Sequence, residues 1–330
     1  MSKQRTIAVV GAGIAGVTLA RALNDSAQVV VFEKSRGFGG RMAERRQDDW
    51  RFNHGAQFFT ARSRELQQLL PELLLANVVE QWQPKIVTLS HDKPVYKRLW
   101  HEAHYRPVPG MSALAKHFAK GLDVRLQTAV AGIHKHNNAW LLQDEEGDSL
   151  GHFDLVVSAI PAAQCSALLP AEFACRQQLN AVEFSPCFAL MLAYEKEIAL
   201  NFAAAVVRDS PLGWLTANGS PVSGSQTTTL LAHSSNEWAA ENFSLHQDEV
   251  QRTLMEALVD LCGEKIANPN HMSLHRWRYA RVEKALDEDY LWDANNSLAA
   301  CGDWCKGNRV EDAFLSGLAL AEAIKSDTRG

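Results

Sequence analysis

The sequence predicts an α/β protein with a Rossmann-like dinucleotide-binding domain and a second, mixed-sheet α+β domain. A strand, a glycine-rich turn and a helix open the chain; a strand, a Gly-Asp pair and a helix close it; strand-forming segments lie between. The length of 330 residues suits about two domains. We expect residues 1–55, 105–162 and 280–330 to form the first domain, and residues 56–104 and 163–279 the second, substrate-binding domain.

Composition and charge exclude several classes of protein. The chain is 46% hydrophobic and carries 33 Lys and Arg against 38 Asp and Glu, a net charge of −5 that argues against nucleic acid or a membrane surface as partner. The sequence shows no apolar run suited to a membrane span or a signal peptide, so we expect a cytoplasmic protein. Six scattered cysteines lack zinc-ligand or redox spacing, which predicts free thiols and no metal site.

The N-terminal segment contains a dinucleotide fingerprint. A strand at residues 6–10 leads into Gly11-Ala12-Gly13-Ile14-Ala15-Gly16, and a second apolar run ends at Glu33, 20 residues after Gly13. Gly11 permits a tight turn, Gly13 lets backbone N–H groups approach a pyrophosphate, and Gly16 allows close packing of helix and strand. A carboxylate at the position of Glu33 accepts hydrogen bonds from ribose hydroxyls. We therefore predict that residues 11–16 and Glu33 bind a dinucleotide.

A second glycine-rich segment directly follows Glu33. Residues 34–42 read KSRGFGGRM, so a glycine pair and an arginine follow Glu33, the acid predicted to bind the ribose. This segment resembles the second phosphate-contacting segment of FAD enzymes of the amine oxidase and related flavoprotein class. The resemblance implies cofactor contacts from five residues, Lys34, Gly39, Gly40, Arg41 and Met42. The fixed fork of the arginine suits a phosphate oxygen.

The C-terminal segment is similar to the C-terminal FAD motif of the same class. A small-residue strand leads into Gly302-Asp303, and a helix with acids in its first turn begins at about Val310. The resemblance implies that Asp303 binds the ribityl chain and that the helix N-terminus, with Val310 and Glu311, points at the flavin N1 and C2 carbonyl. Backbone N–H groups aimed there would stabilise the negative charge of a reduced flavin. We therefore predict FAD as the cofactor.

Residues 126–133 (LQTAVAGI) are predicted to form a strand just before the buried strand of DLVVSAIP. In the flavoprotein class a strand at this place lays its backbone against the adenine. We expect Val130 to make that contact.

Two further segments narrow the resemblance. Residues 52–59 read FNHGAQFF, and residues 108–111 (VPGM) precede an Ala/Leu-rich helix. With GAQ following GGR, the chain resembles the bacterial renalases from its fingerprint to its C-terminal helix. The resemblance places Ala56 and Gln57 at the cofactor. Asn53 departs from the pattern, since we expect an aspartate two residues before the glycine.

Renalases are FAD oxidases of isomeric dihydronicotinamide dinucleotides that carry the hydride at ring position 2 or 6 instead of 4. The resemblance implies that 2-dihydro- and 6-dihydro-NAD(P) are converted to NAD(P)+ by hydride transfer to flavin N5, with dioxygen reduced to hydrogen peroxide. The residues are compatible, because a single GxGxxG leaves the reductant to dock directly on the flavin. A flavin-centred hydride transfer needs no catalytic side chain, and the sequence shows no clear base motif.

The candidate substrate contacts are mainly aromatic or cationic residues. They are Phe58, Phe59 and Thr60 after GAQ, Tyr96 on a predicted strand face shared with Arg98 and Trp100, His275 and Trp277 in the cluster HRWRYA, and Arg309 before the flavin-facing helix. For these segments the sequence equally allows an ordinary edge strand, core packing or a solvated arginine.

Two other functions stay open at this level. A flavin amine oxidase would share the FAD motifs and hold a neutral amine between aromatic rings, for which Trp277, Tyr279 and Trp304 are available. A non-catalytic FAD-binding redox module would share the motifs without turnover. Flavin bleaching by a donor separates the enzymes from the module, and the choice between amines and dihydronicotinamides separates the two enzymes.

Overall fold

The computed structural model describes residues 4–91, 93–219 and 227–327. The strands are β1 (Thr6–Val10), β2 (Gln28–Glu33), β3 (Arg45–Gln47), β4 (Trp50–Phe52), β5 (Val79–Trp82), β6 (Ile86–Ser90), β7 (Lys93–Lys97), β8 (His104–Pro107), β9 (Asp123–Leu126), β10 (Gly132–His136), β11 (Ala139–Gln143), β12 (Ser149–Phe153), β13 (Leu155–Ser158), β14 (Glu183–Tyr194), β15 (Ala204–Val207), β16 (Leu212–Gly219), β17 (Thr228–Ser234), β18 (His271–Lys284), β19 (Leu291–Asp293) and β20 (Leu298–Ala300).

The helices are α1 (Ile14–Leu23), α2 (Arg64–Leu75), α3 (Ser112–Phe118), α4 (Ala162–Leu168), α5 (Arg176–Asn180), α6 (Asn236–Glu241), α7 (Gln247–Cys262) and α8 (Val310–Asp327), with short 3-10 turns at Gly40–Met42, Glu264–Ile266 and Asp303–Cys305. Within the described ranges, none of these helices combines the length and the apolar character needed to cross a bilayer.

The first large sheet is mainly parallel and carries the nucleotide-binding ends of the chain. Its strand order is β19-β20-β13-β1-β2-β9, in which only the β19–β20 pair is antiparallel. The β-branched run of β1 is buried, because α1 and α8 pack on one face and the β10–β12 sheet covers the other. A Cβ on Gly317 of α8 would lie 2.3 Å from the Ala15 carbonyl oxygen. Glycine at this position therefore allows α8 to pack closely on α1.

The predicted strand at residues 126–133 was wrong. Strand β9 ends at Leu126, and the backbone of Gln127 turns into the left-handed region with φ of +54°. The Thr128 N–H then bonds to the Glu33 carbonyl oxygen at 2.9 Å. Residues 127–131 cross from the first sheet to the separate β10–β12 sheet, which a single straight strand cannot do.

The second large sheet is mixed, in the order β18-β14-β17-β16-β15-β6-β7. Its neighbours are antiparallel except for the parallel β6–β15 pair. One face packs on α6 and α7, and the β3–β4 hairpin packs on the other through Phe52. The four predicted domain boundaries stay a prediction; strand β18 extends past residue 280 within the second sheet.

Candidate active site

A cavity of about 1850 Å³ lies between the two large sheets. The glycine-rich turn after β1 and the first turn of α1 form one side, and His233 of β17 with His275 and Trp277 of β18 form part of the other. The ends of three parallel strands and the N-terminus of a helix meet here, which is where open α/β sheets bind nucleotides.

The turn after β1 leaves room for a ligand only at its central glycine. Gly11 has φ of +108°, and a Cβ on Gly16 would stand 2.1 Å from the Gly11 carbonyl oxygen. A Cβ on Gly13 would meet no protein atom within 4 Å. No side chain caps α1 at Gly13, and Ile14 and Ala15 of its first turn line the cavity. Backbone donors at an uncapped helix N-terminus suit a pyrophosphate.

The acid at the end of β2 is fixed by the backbone. Glu33 is buried, and its carboxylate accepts hydrogen bonds from the N–H of Ala12 at 2.9 Å and from the N–H of Ser35 at 2.8 Å. A carboxylate has about four acceptor sites, so lone pairs remain for ribose hydroxyls. Ala12 therefore acts on Glu33 and does not itself line the cavity.

The second glycine-rich segment folds against the first and connects to the C-terminus. The Gly39 N–H bonds to the Ala12 carbonyl oxygen at 3.0 Å, and Gly39 forms a bridge with Gly13. Arg41 donates to Asp303 at 2.5 Å, a contact across 262 residues of sequence. The arginine predicted to contact a phosphate is thus held by the aspartate predicted to contact the ribityl chain.

The N-terminus of α8 has one face on the cavity and one face on α2. Gly302 is fixed by a hydrogen bond from its N–H to Ser316 Oγ at 3.0 Å, and Val310 lines the cavity. Glu311 is buried and points the other way, where it accepts from the Arg62 N–H at 2.8 Å and the Ser63 N–H at 2.6 Å. Its carboxylate therefore ties α8 to the start of α2.

The turn after β4 is packed against Arg41. A Cβ on Gly55 would lie 2.0 Å from the Arg41 carbonyl oxygen, so only glycine fits. The Gln57 amide donates to the backbone carbonyls of Asn53 and Gly55 and so closes the turn. Asn53 Oδ1 accepts from the Met111 N–H at 2.9 Å. A neutral amide oxygen makes this bond, which explains how the chain tolerates asparagine here.

The structure brings most of the predicted cofactor contacts together, and each assignment stays a prediction. Fifteen of the nineteen line the cavity, namely Gly11, Gly13, Ile14, Ala15, Glu33, Lys34, Gly39, Gly40, Arg41, Met42, Ala56, Val130, Gly302, Asp303 and Val310. The other four, Ala12, Gly16, Gln57 and Glu311, lie behind the lining and support it.

A wall of four rings stands on the side of the second sheet. The His54 carbonyl oxygen accepts from His233 Nε2 and from Trp277 Nε1, each at 2.9 Å. The His54 ring stacks on Trp277 with centroids 5.1 Å apart and meets His275 edge-on at 4.8 Å. We name these four residues the ring wall. Sequence reasoning missed His233, because only the pairing of β17 with β14 and β16 brings it to the cavity.

The imidazoles of the ring wall are neutral at pH 7. Burial, with a smaller contribution from His275, lowers the pKa of His54 to about 3. Burial also lowers the pKa values of His233 and His275. The wall therefore presents polar rings without charge.

The predicted substrate contacts divide into two groups. His275, Trp277 and Arg309 line the cavity, whereas Phe58, Phe59, Thr60 and Tyr96 do not. Phe58 packs among the rings Trp82, Trp100, His104 and Trp214. Phe59 is buried against Tyr105, and Tyr96 is 58% exposed.

The predicted strand that was to hold Tyr96 beside Arg98 and Trp100 is shorter than expected. Strand β7 ends at Lys97, so Arg98 and Trp100 lie beyond it. Trp100 then packs on His104, with ring centroids 4.1 Å apart, instead of sharing an exposed face with Tyr96.

Protonation of buried His54 gives a test of the ring wall. An unfolded histidine binds a proton below about pH 6.5, whereas folded His54 resists it down to about pH 3, so stability is lost as the pH falls between these values. At pH 4.5 the loss from His54 is about 2 to 3 kcal/mol. We expect His54→Gln to reduce the fall in unfolding free energy between pH 7 and 4.5 by this amount, measured by urea denaturation. If the unfolding free energy of His54→Gln falls between pH 7 and 4.5 as much as that of the wild-type protein, the assignment is contradicted.

The cradle at Gly13, the free acceptor sites of Glu33 and the paired Arg41 and Asp303 fit a flavin dinucleotide. Fold and site together define a dinucleotide-binding flavoprotein. Residues 95–325 match the family described as flavin containing amine oxidoreductase, and residues 9–73 match the NAD(P)-binding Rossmann-like domain. The chain belongs to the flavin containing amine oxidoreductase family, and its cofactor is FAD.

Solved structures of amine oxidases have the same fold. Putrescine oxidase with bound putrescine has a TM-score of 0.76 and 15% identity, over 98% of this chain and 99% of that chain. Cyclohexylamine oxidase from Brevibacterium oxydans IH-35A has a TM-score of 0.75 and 13% identity, over 99% and 100% of the two chains. Identities this low establish the fold and leave the substrate undetermined. The predicted Rossmann-like fold with a second mixed sheet is confirmed.

Proposed function

We propose that this chain is an FAD-dependent oxidase of the renalase type, which converts 2-dihydro- and 6-dihydro-NAD(P) to NAD(P)+ and uses dioxygen to form hydrogen peroxide. FAD, when bound, supplies the two-electron hydride acceptor. The observation that carries the proposal is the charge of the cavity lining.

Among the described residues that line the cavity, ten are Lys or Arg and five are Asp or Glu. The cations are Lys34, Arg36, Arg41, Arg45, Arg46, Lys116, Arg276, Arg278, Arg281 and Arg309. Glu33 is held by backbone donors, Asp303 pairs with Arg41, Glu44 with Arg46 and Arg51, and Arg281 with Glu283, which leaves seven lining cations without an ion-pair partner among the described residues. The remaining two acids, Glu145 and Glu237, are exposed. Such a lining favours a substrate that carries phosphates, and it disfavours entry of an amine in its protonated form, from which the neutral amine would have to be generated.

The ring wall suits oxidation of a dihydropyridine. Loss of a hydride from this ring leaves an aromatic cation, so no proton has to be removed from carbon. His54 has a pKa of about 3 and is a poor general base at pH 7, which fits a reaction that needs none. Trp277 stacks on His54 with one face and lines the cavity, so its other face can take an aromatic ring, and the neutral imidazoles do not repel the cationic product.

A flavin amine oxidase is the second candidate, and one observation favours it. Trp277 and Tyr279 stand two residues apart on β18, and both line the cavity. The third ring considered from the sequence, Trp304, is fully buried and donates to the Ile160 carbonyl oxygen at 3.0 Å. Trp304 borders the cavity, but its ring is buried and tied to that carbonyl, so an aromatic cage would require the ring to leave the core.

Anaerobic mixing of the FAD-loaded protein with candidate donors tests the proposal. We expect 2-dihydro-NAD and 6-dihydro-NAD to bleach the flavin absorbance rapidly, and putrescine and cyclohexylamine to leave it unchanged. Admission of air should restore the absorbance with release of hydrogen peroxide. Rapid bleaching by an amine would select the second candidate, and no bleaching by any donor would favour a non-catalytic redox module.

A further inference from the structure

The β3–β4 hairpin presents one arginine to the cavity without an ion-pair partner. Its register pairs Arg45 with Phe52 and Arg46 with Arg51. Glu44 holds Arg46 at 2.9 Å and Arg51 at 3.3 Å. Arg45 is half-buried and lines the cavity, and within the part of the chain that the structure describes it forms no ion pair. A half-buried guanidinium with five donors and no counterion is suited to an anionic ligand.

The surroundings of Arg45 leave its charge uncompensated. The hairpin lies over β18, where the rings of Trp50 and Phe52 pack on the ring of His271 with centroids 5.5 and 5.9 Å apart. Burial is the main cause of the lowered pKa values of His54, His271 and His275, and the charge of Arg45 lowers each of them further. Arg45 pairs with Phe52 across the hairpin, and Phe52 packs on the ring of His271, so His271 lies near Arg45. Asp48 acts on His271 and is exposed.

The position of Arg45 separates it from the cofactor phosphates. The cradle for those phosphates is at Gly13 and Gly39 on the first sheet, whereas Arg45 lies over the second. Along β18, His275 is two residues from Trp277, or roughly 7 Å at the usual rise of a strand. In a nicotinamide nucleotide, one ribose separates the ring from the phosphate. A ring stacked at Trp277 can therefore reach with its phosphate the part of the cavity covered by the β3–β4 hairpin, because Trp50 and Phe52 of the hairpin pack in one cluster with Trp277.

We propose that Arg45 binds a phosphate of the dinucleotide substrate. This rests on the proposed function, because it assigns an end of the substrate to an end of the cavity. Arg45 sets specificity by charge and takes no part in the hydride transfer.

Titration calorimetry on the FAD-loaded protein tests the anion site directly, with pyrophosphate and ADP-ribose as probes. We expect Arg45→Gln to weaken binding of both at least tenfold, and Arg45→Lys, which keeps the charge, to weaken it less. Arg51→Gln is the matched control, since Arg51 lies on the same hairpin, pairs with Glu44 and does not line the cavity. It should change affinity by less than twofold. Equal losses in Arg45→Gln and Arg51→Gln, or no pyrophosphate binding to the wild-type protein, would overturn the proposal.

Steady-state kinetics distinguish failure of this proposal from failure of the proposed function. With 2-dihydro-NAD, Arg45→Gln should raise KM at least tenfold and change kcat less than threefold, as expected for uniform binding. Rapid oxidation of 2-dihydro-NAD with an unchanged KM in Arg45→Gln would leave the function standing and remove Arg45 from the site. Arg45-dependent binding of pyrophosphate and ADP-ribose without oxidation of either isomer would keep the anion site and reject the function. Arg45-dependent binding of pyrophosphate alone, with none of ADP-ribose, would reject a dinucleotide.

Discussion

Substituting valine for Gly16 is expected to abolish FAD binding and to lower the free energy of unfolding by about 3 kcal/mol. A Cβ at this position would stand 2.1 Å from the Gly11 carbonyl oxygen and 3.2 Å from the Ala159 Cβ. Both atoms belong to the rigid turn and the adjoining core, so neither can move aside as a flexible side chain would. Bound flavin per protein and urea denaturation measure the two effects.

The matched control is Gly13→Ala in the same turn. Gly13 has φ of −73°, which alanine adopts readily, and its Cβ would meet no protein atom within 4 Å. The unfolding free energy of the apoprotein should therefore change by less than about 0.5 kcal/mol. The added methyl group would still occupy the cradle, so we expect FAD affinity to fall at least tenfold. Equal destabilisation of the apoprotein by both substitutions would contradict this assignment of the two glycines.

The sequence alone was sufficient to predict the parts of the site that lie within one short stretch of chain. The turn between β1 and α1, and Glu33 at the end of β2, lie within one short stretch of chain whose glycines each have a steric reason. The Arg41–Asp303 pair shows the limit of such reasoning. Both residues were predicted at the cofactor from separate motifs, yet their contact spans 262 residues, and neither motif contains information about the other.

The substrate side was harder to predict because tertiary packing decides it. Phe58 and Phe59 follow the turn at Gly55 directly, which suggested a wall of the cavity. Successive residues point in opposite directions, however, so Phe58 enters the cluster with Trp82 while Phe59 enters the core with Tyr105. No periodicity in a single sequence tells an aromatic core residue from an aromatic contact. His233 reaches the cavity only through the long-range pairing of β17 with β14 and β16, which the sequence does not reveal.

NADH is expected to bleach the flavin at least a hundredfold more slowly than 2-dihydro-NAD or 6-dihydro-NAD under anaerobic stopped-flow conditions. The reason is the rigidity of the ring wall, in which Trp277 Nε1 is tied to the His54 carbonyl oxygen at 2.9 Å and the two rings stack at 5.1 Å. A nicotinamide ring held against such a wall presents one set of ring carbons to the acceptor, and displacement of the reacting carbon by about 1 Å costs about a hundredfold in rate.

A variant of the ring wall tests whether the rigidity of Trp277 causes the difference in rate between the isomers and NADH. Trp277→Phe keeps an aromatic face and removes the donor to His54, so the ring gains freedom to shift. We expect this variant to lower the ratio of the flavin-reduction rate with the isomers to the rate with NADH by at least tenfold, chiefly because the isomers reduce the flavin more slowly. His101→Gln, which alters an exposed residue, should preserve the wild-type ratio. If NADH and the isomers reduce the flavin of the wild-type protein at equal rates, the ring wall does not align the substrate ring, because a wall that fixes the ring cannot present positions 2, 4 and 6 equally well.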